Sequence, residues 1–151
     1  MRLEEYWHNC SEDDIPSELY KGIIESLIKL EFPIYNGCSR NLRKVIKEEI
    51  VQLGWSEKVE LDSNTRINIT SMNKEYGLCL QTGNMSRFYA DLIKLEYLYK
   101  KGKLKGAFYI LPSKYAAKIM GSNIANFDRF THELEVFNKV ITTPIIVIGL
   151  R

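Results

Sequence analysis

The chain has 151 residues and a mass of 17.6 kDa, with 45% hydrophobic residues, 26% charged residues and a formal net charge of +2. That is the profile of one globular domain over residues 1–151 with one core, and it excludes disordered, collagen-like and strongly basic histone-like classes. No apolar run approaches the roughly 20 residues of a membrane span, and the acids in Met1–Tyr6 are incompatible with a secretory signal, so a cytoplasmic protein without membrane contact is expected. Cys10, Cys38 and Cys79 share no CxxC spacing, which argues for reduced thiols rather than a zinc knuckle or disulfide framework. Charge is unevenly spread. Residues 1–31 carry three cations and eight acids, whereas from Lys94 to Lys118 seven lysines face Glu96 alone. Such asymmetry either steers one face toward a polyanion or is an ordinary solvated face.

Along the chain, Ser17 to Leu30 places Leu19, Ile23, Ile24, Leu27 and Ile28 near helical spacing between Pro16 and Pro33, which predicts a first helix. Arg40 to Leu53 repeats the pattern with Leu42, Val45, Ile46 and Ile50, and ends at Gly54, a residue suited to a left-handed cap. Lys58–Leu61, Thr65–Thr70 and Tyr76–Gln81 alternate apolar with polar residues. They predict strands, the last two joined as a hairpin through a turn containing Asn73, Lys74 and Glu75. Asn84 to Lys100 reads as a third helix, with Phe88, Leu92, Leu95 and Tyr99 on an apolar stripe and Arg87, Asp91 and Lys94 together on another side. Lys105–Pro112 is a short apolar strand, Ser113–Met120 and Ala125–Phe137 are helical, and Pro144–Leu150 has the continuous apolar character of a buried strand. With the two short helices after Pro112 counted as one helical segment, the predicted order is ααβββαβαβ, an α/β architecture with a mixed sheet flanked by helices.

Hydrolysis of a phosphodiester with Mg²⁺ needs clustered carboxylates, because this ion takes hard oxygen ligands. A hairpin supplies them from one strand and from positions i and i+2 of the next, which share a face. The corresponding slots here are Asn68, Cys79 and Gln81.

Glu18–Leu27 in the first helix, Ile46–Ile50 and Gly54-Trp55, the strands Arg66–Ile69 and Leu78–Gln81, and the closing Thr143–Leu150 together resemble the type II restriction endonucleases of the BglII and BstYI group. These belong to the PD-(D/E)XK nuclease superfamily. The resemblance implies a restriction-endonuclease-like three-layer α/β core, Mg²⁺-dependent cleavage of double-stranded DNA, and a homodimer, as suits two-fold symmetric sites. In the family the first strand carries a metal-binding Asp and the second an acid followed two positions later by Lys, Glu or, in this group, Gln. Gln81 fits its slot, but Asn68 stands where the Asp is expected and Cys79 where the Glu is expected. Neither is an anionic oxygen ligand, and a thiol is mismatched to Mg²⁺. If the register slips, Asp62 or Thr70 takes the first slot, and of these only Asp62 is a carboxylate.

Two outcomes stay open. In one, catalytic groups have migrated: Asp91 and Lys94, with Arg87, project from the third helix over the strand end, and Glu48 or Glu49 donates a distal carboxylate. In the other, Arg87 and Asp91 form an i, i+4 ion pair, Lys94 is solvated, and the protein binds DNA, or a protein partner, with cleavage impaired or lost. Mg²⁺ is the expected cofactor only in the first. The turn Thr82–Arg87, with Asn84 as helix cap and Arg87 in the first turn, suits a phosphate, as does the basic turn carrying Lys100, Lys101, Lys103 and Lys105. The chain ends just after the expected last core strand, which leaves little for base-specific recognition. His8 and His132 lack metal spacing, and Cys79 has no evident basic partner to make it a nucleophile.

Overall fold

The computed structural model describes residues 1–151. In chain order the elements are β1 (Leu3–His8), α1 (Ser17–Lys29), α2 (Ser39–Gln52), β2 (Val59–Asp62), β3 (Ile67–Ile69), β4 (Ser71–Asn73), β5 (Tyr76–Leu80), α3 (Arg87–Lys100), β6 (Gly106–Pro112), α4 (Lys114–Met120), α5 (Phe127–Val136) and β7 (Ile145–Leu150). The principal sheet has the order β1-β7-β6-β5-β4. Its centre, β5, β6 and β7, is parallel, while β1 pairs antiparallel with β7 and β4 antiparallel with β5. β2 and β3 form a separate two-stranded antiparallel sheet. The expected mixed sheet flanked by helices is present.

The central strands are buried on both faces, which is why they read as apolar runs. Leu78, Leu80, Phe108, Ile110, Ile146 and Ile148 point to one side, against Ile23 and Leu27 of α1 and Leu42, Ile46 and Ile50 of α2. Alternate residues Cys79, Ala107, Tyr109, Ile145 and Val147 point to the other, against Phe88, Leu92, Leu95 and Leu98 of α3 and Phe130 and Leu134 of α5. Burying a side chain of Leu or Ile size contributes about 1.5–3 kcal/mol, so these two layers dominate the stability. Gly149 is required in β7, because a Cβ there would lie 2.8 Å from the Phe127 ring. Gly54 ends α2 at φ +85°, the left-handed conformation anticipated for it.

Four expectations are corrected. The strand β1 was absent from the predicted order, since Leu3-Glu4-Glu5-Tyr6-Trp7-His8 is polar enough to pass for a loop, yet it serves as a charged sheet edge. β4 lies within and beside the stretch expected to be a turn. It pairs with β5 through a two-residue loop, Asn73 opposite Tyr76, and so displaces the expected hairpin. Thr65–Thr70 is therefore not the main-sheet partner of β5: β3 pairs with β2, with Asn68 opposite Glu60. On α3 the inward stripe is completed by buried Leu98, with Tyr99 half-buried at its margin.

Candidate active site

The parallel strand β5 ends at Leu80, and the chain continues through Gln81, Thr82 and Gly83 into α3. Carboxyl ends of parallel strands are where open α/β sheets commonly place their ligands. Here they open into a cleft of about 440 Å³. Its walls are Ser39, Arg40 and Arg43 from the start of α2, Asn68 and Thr70 from the β3–β4 link, and Arg87, Ala90, Asp91 and Lys94 from α3.

The floor is fixed by a chain of hydrogen bonds. Thr70 Oγ1 accepts from the Leu80 amide at 3.0 Å, the Thr82 hydroxyl donates to the Ser39 carbonyl at 2.9 Å, and the Gly83 amide donates to Gln81 Oε1 at 3.0 Å. The Arg43 guanidinium donates to the Leu80 carbonyl, tying α2 to the strand end. Gln81, 7% exposed, turns its amide to Asp91, Nε2 donating to Oδ2 at 3.3 Å. The same oxygen accepts from the Tyr109 hydroxyl at 3.0 Å, and Asp91 Oδ1 accepts from Lys94 Nζ at 3.1 Å. Both oxygens of this carboxylate are thus engaged.

Gln81, Asp91 and Lys94 do converge, as their spacing on β5 and α3 suggested. The i, i+4 pair of Arg87 with Asp91 is replaced by the i, i+3 pair of Lys94 with Asp91, and Lys94 is a quarter exposed rather than solvated. Arg87 lines the cleft without a carboxylate partner. Asn68 also lines it, but its amide donates to the Arg66 carbonyl at 2.8 Å. The residue against β5 at the first acidic slot is Thr70, through its bond to Leu80. Asp62 lies outside the cleft and accepts from the Thr65 hydroxyl at 2.6 Å, a local turn that pulls its carboxyl below the ordinary range.

Cys79 faces the α3 layer and is 1% exposed. Burial, with the Asp91 charge adding to it, raises its thiol well above the ordinary value, which disfavours a thiolate nucleophile. Tyr109 is raised for the same two reasons and remains a hydrogen-bond donor. Glu48 pairs with Lys44 at 3.9 Å, and Glu49 accepts from Ser26 of α1 at 2.8 Å; neither reaches the cleft. Asn84 does not cap α3. Its Oδ1 accepts from the Ser86 amide at 2.9 Å in the preceding turn, and Ser86 holds the cap position without a side-chain bond. Lys100, Lys101, Lys103 and Lys105 lie at the opposite end of α3, roughly 20 Å from Arg87 at 1.5 Å per residue. Among them Lys100 pairs with Glu96 and Lys105 with Glu75. His8 is buried with Nε2 2.6 Å from the Ile141 carbonyl, a structural role, and His132 is exposed on α5.

The donors in the cleft do not suit a hard divalent cation. Asn68, Thr70 and Gln81 are neutral, and the one carboxylate already accepts from Gln81, Tyr109 and Lys94. Nowhere in the chain do three His, Cys, Asp or Glu side chains converge as metal ligands. Four cations, Arg40, Arg43, Arg87 and Lys94, line the cleft against Asp91, a charge balance that repels cations and attracts anions. Arg40 and Arg43 did not figure among the sequence candidates. Their signal was present as the spacing Arg40, Arg43, Lys44, Lys47 on one helix face, masked by Glu48 and Glu49 in the local charge count.

The family model described as restriction endonuclease BglII/BglIII matches residues 5–150. Among solved structures, restriction endonuclease BglII complexed with a DNA 16-mer aligns over 100% of this chain and 78% of its own, at 16% identity and a TM-score of 0.88. Free BglII aligns over 100% and 80%, at 18% identity and a TM-score of 0.77. No functionally curated protein matches the chain by sequence. No helix is long and apolar enough to cross a membrane.

Proposed function

Because the chain belongs to the BglII/BglIII restriction endonuclease family, we propose that it is a duplex-DNA-binding protein of nuclease fold whose Mg²⁺-dependent cleavage has been lost. The carrying observation is the cleft at the end of β5. There neutral Thr70 and Cys79 flank the strand end where the family is expected to carry its acids, and the nearby carboxylate, Asp91, already accepts three internal hydrogen bonds. Metal-assisted hydrolysis requires an ion bridging the scissile phosphate and the attacking water. The residues present derive no such step, whereas Arg43, Arg87 and Lys94 offer donors that bind a phosphate without activating water. The DNA-bound structure of a BglII enzyme supports DNA as the partner class for this fold. A homodimer matches the two-fold symmetry of duplex sites, and sedimentation is the measurement that bears on it.

The convergence of Gln81, Asp91 and Lys94 within hydrogen-bond distance favours one second reading, an active endonuclease with a migrated acid and an amine near the strand end. Plasmid DNA incubated with pure protein over a range of Mg²⁺ and Mn²⁺ separates the two. The first reading expects retarded but intact plasmid. Nicking or linearisation that disappears in Asp91→Asn or Lys94→Ala establishes the second. Intact plasmid with no retardation at low salt indicates a protein-interaction role instead.

A further inference from the structure

The cationic lining of the cleft continues along α2. Arg40, Arg43, Lys44 and Lys47 occupy i, i+3, i+4 and i+7 and so share one helix face. Beside them runs a second groove of about 600 Å³ that has Arg40 and Arg43 in common with the cleft; its four cations outnumber the two acids that also line it, Glu48 and Glu57. Elsewhere in the chain seven cations, Lys29, Lys58, Lys94, Lys100, Lys105, Lys114 and Arg129, lie within 4.0 Å of a carboxylate and nine do not. On this face only Lys44 is paired, with Glu48. Arg40, Arg43, Lys47 and, across the cleft, Arg87 have no carboxylate partner. Arg43 is the telling case. It is half-buried, its one protein hydrogen bond goes to the Leu80 carbonyl, and its other donors are open to the cleft. Donors that face the open cleft without a protein acceptor are free to take an anion, and a phosphate diester matches the guanidinium fork. From Arg40 to Lys47 the face spans about 10 Å at 1.5 Å per residue, room for roughly three phosphates of one strand at 3.4 Å of axis each.

We propose that Arg40, Arg43 and Lys47 of α2, with Arg87 of α3, form a metal-independent track for the sugar-phosphate backbone of duplex DNA, in which the guanidinium groups hold the phosphate directly at the end of β5. The proposal rests on the DNA-binding reading above and adds where the backbone lies and that no divalent ion is needed to hold it. Its contacts are to phosphates, so it confers position and affinity rather than sequence preference.

The test is fluorescence anisotropy with a labelled duplex, titrated in EDTA at several salt concentrations. The variants are Arg40→Gln/Lys47→Gln, which leaves the Arg43 tie to Leu80 in place, and Lys101→Gln/Lys103→Gln at the far end of α3. Circular dichroism confirms that each is folded. The track variant is expected to bind about tenfold or more weakly and to lower the slope of log K against log salt by about 2, one per lost phosphate contact. The turn variant is expected to stay within about twofold of wild type, and wild-type affinity not to rise when Mg²⁺ replaces EDTA. Wild-type binding that survives in the track variant with its slope intact, or that requires Mg²⁺, overturns the track while leaving DNA binding standing. Absence of wild-type binding at low salt overturns both.

Discussion

Replacing Asp91 with Ala distinguishes a structural carboxylate from a catalytic one. The Asp91 side chain is 15% exposed and accepts from Gln81, Lys94 and Tyr109, whose ring is fully buried between Phe130 and the sheet. Truncation leaves the Tyr109 hydroxyl buried without an acceptor, which costs about 1–3 kcal/mol. Lys94, a quarter exposed, loses its partner for about 1 kcal/mol or less, since solvent screens it. Asp91→Ala should therefore destabilise by about 1–4 kcal/mol, a fall in Tm on the order of 10 °C or less for a chain of this length. Tyr109→Phe alone should cost about 1 kcal/mol, because Asp91 keeps its other two donors. In the double variant the orphaned hydroxyl is gone, so its cost should fall short of the sum by about 1–2 kcal/mol. Urea unfolding of the four proteins measures this directly. A change within about 0.5 kcal/mol for Asp91→Ala, or additive effects of the two substitutions, refutes the structural role and favours a spare, functional acid.

Glu96 clamps α3 to the segment before β7, its carboxylate accepting from the amides of Thr142 and Thr143 at 2.9 Å and from both hydroxyls at 2.6 Å. Burial tends to raise this acid, but the four bonds outweigh it and hold it below 4.5. A carboxylate depressed on folding stabilises above its unfolded value and loses that contribution as pH falls through its folded value. Glu96→Gln should cost about 1–3 kcal/mol at neutral pH, with the gap to wild type narrowing only below about pH 4.5, as urea melts across pH will register. Thiol labelling with an aromatic disulfide at pH 8 should leave Cys38 and Cys79 unmodified in the native protein. Cys10 should react slowly, because burial and then Asp14 push it up to about 12. Denaturant should release all three thiols, and native labelling of Cys79 in a Cys10→Ser background would contradict its buried, protonated state.

Local periodicity made the helices legible. Ile23 and Leu27, Leu42, Ile46 and Ile50, and Phe88, Leu92 and Leu95 stand where helical spacing placed them, inside two layers against the sheet. Strands depend on partners distant in sequence, and there the reading was weaker. β1 is recognisable only beside β7, more than 130 residues later, and the three residues of β4 carry too little pattern to be seen. The missing β4 shifted the hairpin, which put Asn68 rather than Thr70 opposite the second acidic slot. The site was legible where one helix supplied the spacing, as for Asp91 and Lys94. It was not where α2 had to be brought to the end of β5: the Arg43 contact with Leu80 joins residues 37 apart.

The loss of the hard-cation site is tested most directly by titrating Mn²⁺ into the DNA-bound protein and following free ion by electron paramagnetic resonance. With neutral Thr70 and Cys79 flanking the strand end and Asp91 already accepting three hydrogen bonds, the protein should take up no stoichiometric Mn²⁺ beyond that bound by the DNA alone. One tightly held ion per chain, released by Asp91→Asn, would contradict it.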